Sequence, residues 1–166
     1  MKILMVCLGN ICRSPLAEGI MKHKIKQQGL DWQVDSAGTS AWHTGEHPGH
    51  RSIITARQNG IDITDQQARL FKPHDLDNFD LVLAMDDSNR RDILRFATTK
   101  KQYDKVHLIL NFSHPGSDQS VPDPYWDDNG FEQVFQMLDV ACNGVLEHLV
   151  KNQRPIPIPI GKRPEV

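Results

Sequence analysis

The chain has 166 residues, of which 39% are hydrophobic and 24% charged, with a formal net charge of -2. That size and balance fit one folded domain with its own core and exclude a disordered chain. The charge disfavours nucleic-acid and anionic-membrane partners, which need a concentrated positive face, and no apolar run approaches the length of a membrane span.

The opening MKILMVC has one lysine and a short apolar run that soon meets Gly9 and Asn10, a poor signal peptide. Three widely spaced cysteines make no disulfide scaffold and fit a reducing compartment, so the expected location is the cytoplasm. Within that opening, Ile3-Leu4-Met5-Val6 reads as a central strand covered on both faces. Ser14 is placed to cap a following helix, with Pro15 in its first turn and Leu16, Ala17, Ile20 and Ile25 as its apolar stripe. The helix is expected to end near Gly29. A second strand is expected over residues 32–35, a loop over 36–48, and a short helix over 51–59 that Gly60 ends.

Residues 79–85 (FDLVLAM) give a third strand, 86–97 a helix with a polar start, and 105–110 (KVHLIL) a fourth strand. The last helix is marked by Phe131, Val134, Phe135, Leu138, Ala141, Cys142, Val145, Leu146 and Leu149 at helical spacing. Strands separated by helices predict a three-layer α/β domain. Its open, mostly parallel four-stranded sheet carries helices on both faces and an N-terminal phosphate-binding loop. The expected domain covers residues 1–150. Residues 151–166 carry Pro155, Pro157, Pro159 and Pro164 and read as an extended, basic, proline-rich tail.

The chemistry concentrates in CLGNICRS, residues 7–14. A buried strand leads into this segment and a helix leaves it, so backbone N–H groups converge on one anion. Gly9 is expected to take a backbone angle other residues resist, and Asn10 tolerates the left-handed region. Arg13 adds a planar fork matched to two phosphoryl oxygens. The same amides and guanidinium favour a thiolate at Cys7, and Ser14 can hydrogen-bond that sulfur. A phosphate cup with a thiolate at its base suggests covalent phosphoryl transfer. Cys12 is either a small packing residue or a reversible disulfide partner for Cys7. Such an enzyme needs an acid for the leaving oxygen, and Asp123, in DPYW, suits that role, although Asp-Pro also marks ordinary turns.

Taken together, these residues resemble the low-molecular-weight protein tyrosine phosphatases. The resemblance rests on CLGNICRSP at 7–15, DSAGTS at 35–40, AMDDSNRRD at 84–92, DPYW at 123–126 and the closing helix. It implies hydrolysis of phosphotyrosine monoesters through a cysteinyl-phosphate, without cofactor or metal. Cys7 would be the nucleophile, Arg13 the phosphoryl-binding residue, and Asp123 the general acid and later the base. Asn10, Ser14 and Ser36 fall where the family keeps loop-supporting hydrogen bonds, and Cys12 falls where it keeps a second, redox-protective cysteine. Leu8, Ile11, Trp42, Tyr125 and Trp126 would line the substrate cleft, Gly9 completing the loop. Asp65-Gln66-Gln67 stand where many relatives carry a histidine, which implies altered loop support. The implied partner is a phosphotyrosine-containing protein, for instance a tyrosine kinase, with monomer and weak dimer both open.

Two other activities share the loop. A thioredoxin-coupled arsenate reductase needs further relay thiols, and only Cys142, on an apolar helical stripe, follows Cys12. A cysteine phosphocarrier would use Cys7 but gain nothing from Asp123. His43, His47 and His50 share a loop but lack a diagnostic ligand spacing, so no metal is expected there.

Overall fold

The computed structural model describes residues 1–126 and 129–153. Four parallel strands, β1 (Lys2–Cys7), β2 (Gln33–Gly38), β3 (Leu81–Ala84) and β4 (Val106–Leu108), form one sheet in the order β2-β1-β3-β4. The six α-helices described are α1 (Arg13–Gln27), α2 (His50–Gln58), α3 (Asp75–Asn78), α4 (Asp87–Leu94), α5 (Lys100–Tyr103) and α6 (Gly130–Gln153).

The alternation of β1 explains the two layers. Ile3, Met5 and Cys7 face a core built with Leu16, Ile20, Ala56, Leu138 and Val145, on helices α1, α2 and α6. Leu4 and Val6 face the opposite core, with Leu76 of α3 and Ile93 of α4. Every residue from Ile3 to Val6 is fully buried, as a strand covered on both faces requires. The strand order reverses direction between β1 and β3, and α/β sheets open a crevice at such a point, beyond the carboxyl ends of the strands. Cys7 ends β1 at this crevice, and Asp86 follows β3 beside it.

Several boundaries differ from the sequence expectations: α6 runs on to Gln153, past the expected domain end at 150, and the rest of the expected tail, residues 154–166, lies outside the described residues. β2 continues to Gly38, paired with Cys7, because the loop passes so close that a Cβ at Gly38 would lie 2.8 Å from the Leu8 carbonyl oxygen. The 105–110 strand stops at Leu108, and Ile109–Phe112 turns into a 3-10 helix against α6. Asp86 is the N-cap of α4 rather than its first residue, its Oδ1 accepting the Asn89 N–H at 2.7 Å. Helices α3 and α5 have four residues each, too short for a readable apolar period. Gly29 and Gly60, at φ 65 and 79, stand just past the C-caps of α1 and α2, where helices of this kind stop. Among the described residues no helix is long and apolar enough to cross a membrane.

Candidate active site

Cys7 closes β1 and the chain turns through Leu8–Cys12 into α1. The left-handed residue of this turn is Asn10, at φ 57. Gly9 does not use the positive-φ region, contrary to expectation; what it supplies is room, since a Cβ there would sit 3.1 Å from the His43 ring. Ser14 does not cap the helix either. The helix begins at Arg13 behind Cys12, and the Ser14 hydroxyl is engaged inside the loop.

That engagement has a direction. Asn10 Nδ2 donates to Ser14 Oγ at 2.8 Å and to Ser36 Oγ at 2.9 Å, while its Oδ1 accepts the Arg69 N–H at 3.0 Å. Because Ser14 Oγ already accepts from Asn10, its own hydrogen is left for Cys7 Sγ, 2.9 Å away. The Asn10 backbone N–H also donates to Cys7 Sγ, at 3.3 Å. Ser36 in turn donates to Glu18 Oε1 at 2.8 Å, and Glu18 Oε2 accepts from Lys22 Nζ at 2.7 Å. Burial pushes the Glu18 carboxyl up from its ordinary value, against the lowering effect of the Lys22 and Ser36 contacts. The Arg69 guanidinium spans Asp35 and the buried Asp75, which fixes the backbone N–H that holds Asn10.

Arg13 is buried, at 6% exposure, yet only one edge of its guanidinium is taken. Nη1 donates to Asp86 Oδ2 at 2.7 Å and to the Val121 carbonyl at 3.0 Å. Among the described residues Nε and Nη2 make no hydrogen bond, so the fork offers two parallel donors to an anion in the cup.

A cavity of about 300 Å³ brings Cys7, Arg13 and Asp123 together, with Gly9 and Cys12 in its wall. Leu8, Ile11, Trp42 and Tyr125 form its apolar and aromatic sides. Cys7 is 2% exposed at its base, whereas Trp42 and Tyr125 are 78% and 64% exposed at its mouth. Asp123 precedes the 3-10 turn Pro124–Trp126, and its Oδ1 accepts the Tyr125 N–H at 3.0 Å. The Trp126 side chain, assigned to the rim from sequence, lies outside the described part of the structure, as do Asp127 and Asp128. A larger depression of about 410 Å³ beside Gln28, Leu146 and Lys151 has neither a cysteine nor an arginine in its lining, and the chemistry singles out the smaller cavity.

The other sequence candidates sort by burial. Cys12 is half-buried, and its thiol is pushed up to about 11 by burial and by the negative charge of Cys7, so it is a neutral thiol at ordinary pH. Cys142 is fully buried on α6, its thiol pushed up to about 12. His43 pairs with Glu46 and lines the cavity, while His47 Nδ1 lies 3.3 Å from the Gln66 carbonyl. Among the described residues no group of three His, Cys, Asp or Glu side chains converges to hold a metal. Gln66 donates from Nε2 to the Pro15 carbonyl at 3.0 Å and supports the helix behind the loop.

Four contributors escaped the sequence reading: Asp86, the Val121 carbonyl, Glu18 and Arg69. Asp86 alone left a usable signal, a carboxylate directly after a buried strand at the binding edge of the sheet.

The low molecular weight phosphotyrosine protein phosphatase family matches residues 2–155. A Synechocystis protein named as a low molecular weight protein-tyrosine-phosphatase is 44% identical over 91% of this chain and 98% of its own length. The crystal structure of YfkJ from Bacillus subtilis superposes with a TM-score of 0.86 at 35% identity, covering 93% of this chain and 97% of that one. A Drosophila arginine phosphatase superposes with a TM-score of 0.83 at 34% identity, covering 90% and 98%. With its fold, its loop and nearly its whole length shared in this way, the chain belongs to the low-molecular-weight protein-tyrosine-phosphatase family.

Proposed function

We propose that the enzyme hydrolyses phosphotyrosine monoesters in proteins by two phosphoryl transfers through Cys7. Cys7 Sγ attacks phosphorus as the phenolic oxygen leaves, and Asp123 gives that oxygen its proton. The free edge of Arg13 and the loop amides carry the charge spread over the three equatorial oxygens. Asp123, now a carboxylate, takes a proton from water as it attacks the cysteinyl-phosphate. The thiolate then leaves toward the Ser14 hydroxyl, and inorganic phosphate is released. The observation that carries this reading is the meeting of Cys7, the open edge of Arg13 and Asp123 in one cavity.

Preference for tyrosine follows from depth and lining. The sulfur lies at the base, below Leu8, Ile11, Trp42 and Tyr125, so a phenyl ring both spans the depth and stacks on the walls. A serine ester is too short to gain that contact. The partner is therefore a protein bearing phosphotyrosine, such as a tyrosine kinase. Its three free cysteines suit the reducing cytoplasm. Arsenate reduction and phosphocarrier roles have no support here: Cys142 is buried in the α6 core, and a phosphocarrier has no use for the Asp123 that lines the cavity with Cys7.

The test is phosphate release from matched peptides carrying phosphotyrosine, phosphoserine or phosphoarginine. Phosphotyrosine should be turned over far faster than the other two, and rapid quench should trap one phosphoryl group on the wild type and none on Cys7→Ser. Equal release from phosphoserine, or faster release from phosphoarginine, would overturn the substrate assignment. Turnover surviving in C7S would overturn the nucleophile.

A further inference from the structure

The hydrogen bonds behind the phosphate loop form one directed chain: Glu18 to Ser36, to Asn10, to Ser14, to Cys7. Serine hydroxyls can point either way and an amide can turn over, so the direction must be imposed by groups that cannot reverse. One is the Arg69 N–H, which can only donate and holds Asn10 Oδ1 in the middle of the chain. The other is Glu18 at the far end, a buried carboxylate that can only accept when ionised. Gln66, which lies against Gly19 of α1, gives its Nε2 to the Pro15 carbonyl and not to Glu18.

We propose that Glu18 is a positioning residue for the phosphatase reaction, its carboxylate setting the direction of the chain so that the Ser14 O–H is presented to the Cys7 sulfur. By accepting from Ser36, it obliges Ser36 to accept from Asn10. The Asn10 NH2 group then faces both serines, and the side-chain hydrogen left for Cys7, beside the Asn10 backbone N–H already on that sulfur, is that of Ser14. Lys22 holds the far oxygen of the carboxylate and sits 48% exposed, outside the chain itself.

A glutamine in place of Glu18 exposes the dependence. Lys22 draws the new amide oxygen toward itself, which turns the NH2 edge to Ser36. Ser36 must then leave its hydrogen unpaired in a buried site or donate it to a turned-over Asn10. Turning Asn10 sets its NH2 against the Arg69 N–H and draws the Ser14 hydrogen away from Cys7. Removing Lys22 as well frees the amide to keep its oxygen on Ser36.

The measurement is the rate of Cys7 alkylation by iodoacetamide, mapped by peptide mass, at a pH where only part of the thiol is ionised. Glu18→Gln should slow it about tenfold, the scale of one hydrogen bond to a charged group, and E18Q/K22M should recover most of the loss. Wild-type reactivity in E18Q, or no recovery in the double variant, would overturn the proposal, since a merely structural loss is not repaired by deleting a surface lysine. If E18Q does not fold, S36A decides alone: it should slow alkylation several-fold, and unchanged reactivity would overturn the link through Ser36. The inference rests on Cys7 as nucleophile, but alkylation reads the thiol directly, so its failure is separable from failure of the turnover and trapping tests.

Discussion

The phosphate loop and the acid-bearing turn face each other across one cavity and are built in opposite ways. In the loop, Asn10, Arg13 and Ser14 are nearly or wholly buried; Asn10 and Arg13 each have two polar contacts from other elements, and Ser14 has two within the loop. In the turn, Pro122, Asp123 and Tyr125 are exposed, and the Asp123 carboxylate caps its own short 3-10 turn. The segment is tied to the sheet just before it, where the Val121 N–H donates to the Met85 carbonyl at 2.7 Å. The contrast fits the two roles proposed for them. Stabilising charge on a phosphoryl group requires donors already aimed before substrate arrives, whereas an acid must reach one oxygen and exchange its proton with water.

If the loop depends on fixed geometry, the largest loss should come from a change that keeps charge and removes shape. Arg13→Lys retains a cation but gives up the two-pronged edge, and one ammonium cannot hold both Asp86 and the phosphoryl oxygens. Losing a single oriented donor typically costs about 10²- to 10³-fold, and R13K should lose at least that with every substrate, whatever its leaving group. Steady-state turnover of aryl phosphates checks this, and near-normal rates would remove Arg13 from the mechanism.

The acid turn should respond selectively instead. Asp123→Asn should slow the first transfer by about 10²- to 10⁴-fold for a tyrosine-like phenol, and much less for a nitrophenol, which leaves without a proton. Single-turnover rates across a series of phenols should depend on leaving-group pKa more steeply in D123N than in wild type. The neighbouring variants D127N and D128N serve as controls and should keep the wild-type slope. Equal slopes in D123N and wild type would reject Asp123 as the acid, and a steep slope in a control would move the acid along the chain.

The same contrast explains what could be read from the sequence. The fold was legible because its signals are local: an unbroken apolar run for β1, a long helical period for α6, and glycines just past α1 and α2. The loop was legible because its residues lie within eight positions and their types match one chemistry. Its supports were not, because Asp86, Arg69 and Glu18 reach it from separate elements, and a carboxylate on a helix looks the same whether it faces water or Ser36. Ser14 illustrates the limit. As a serine before Pro15 it had the form of a helix cap, and only the three-dimensional placement of Asn10 and Cys7 gives its hydroxyl other work.

The smallest expected effect falls on Cys12 and shows only after oxidation. Cys12 shares the cavity wall with Cys7, and burial together with the Cys7 charge keeps it a thiol up to about 11. Peroxide should therefore react first at Cys7, giving a sulfenic acid. The Cys12 sulfur then attacks that sulfur, forming the disulfide and releasing the sulfenic oxygen as water. Attack requires the Cys12 thiolate, and burial still opposes that thiolate once oxidation has removed the Cys7 charge, so the crosslinking step should speed up as pH rises through the neutral and mildly alkaline range. Non-reducing peptide maps after a brief peroxide pulse, quenched by alkylation at timed intervals, measure that step separately from the first oxidation. Dithiothreitol should then restore most activity to the wild type and clearly less to C12S, whose Cys7 proceeds to irreversible oxides. Recovery of C12S equal to wild type would make Cys12 a packing residue. A crosslinking rate independent of pH would show instead that the thiolate of Cys12 is generated locally, by proton transfer within the oxidised loop.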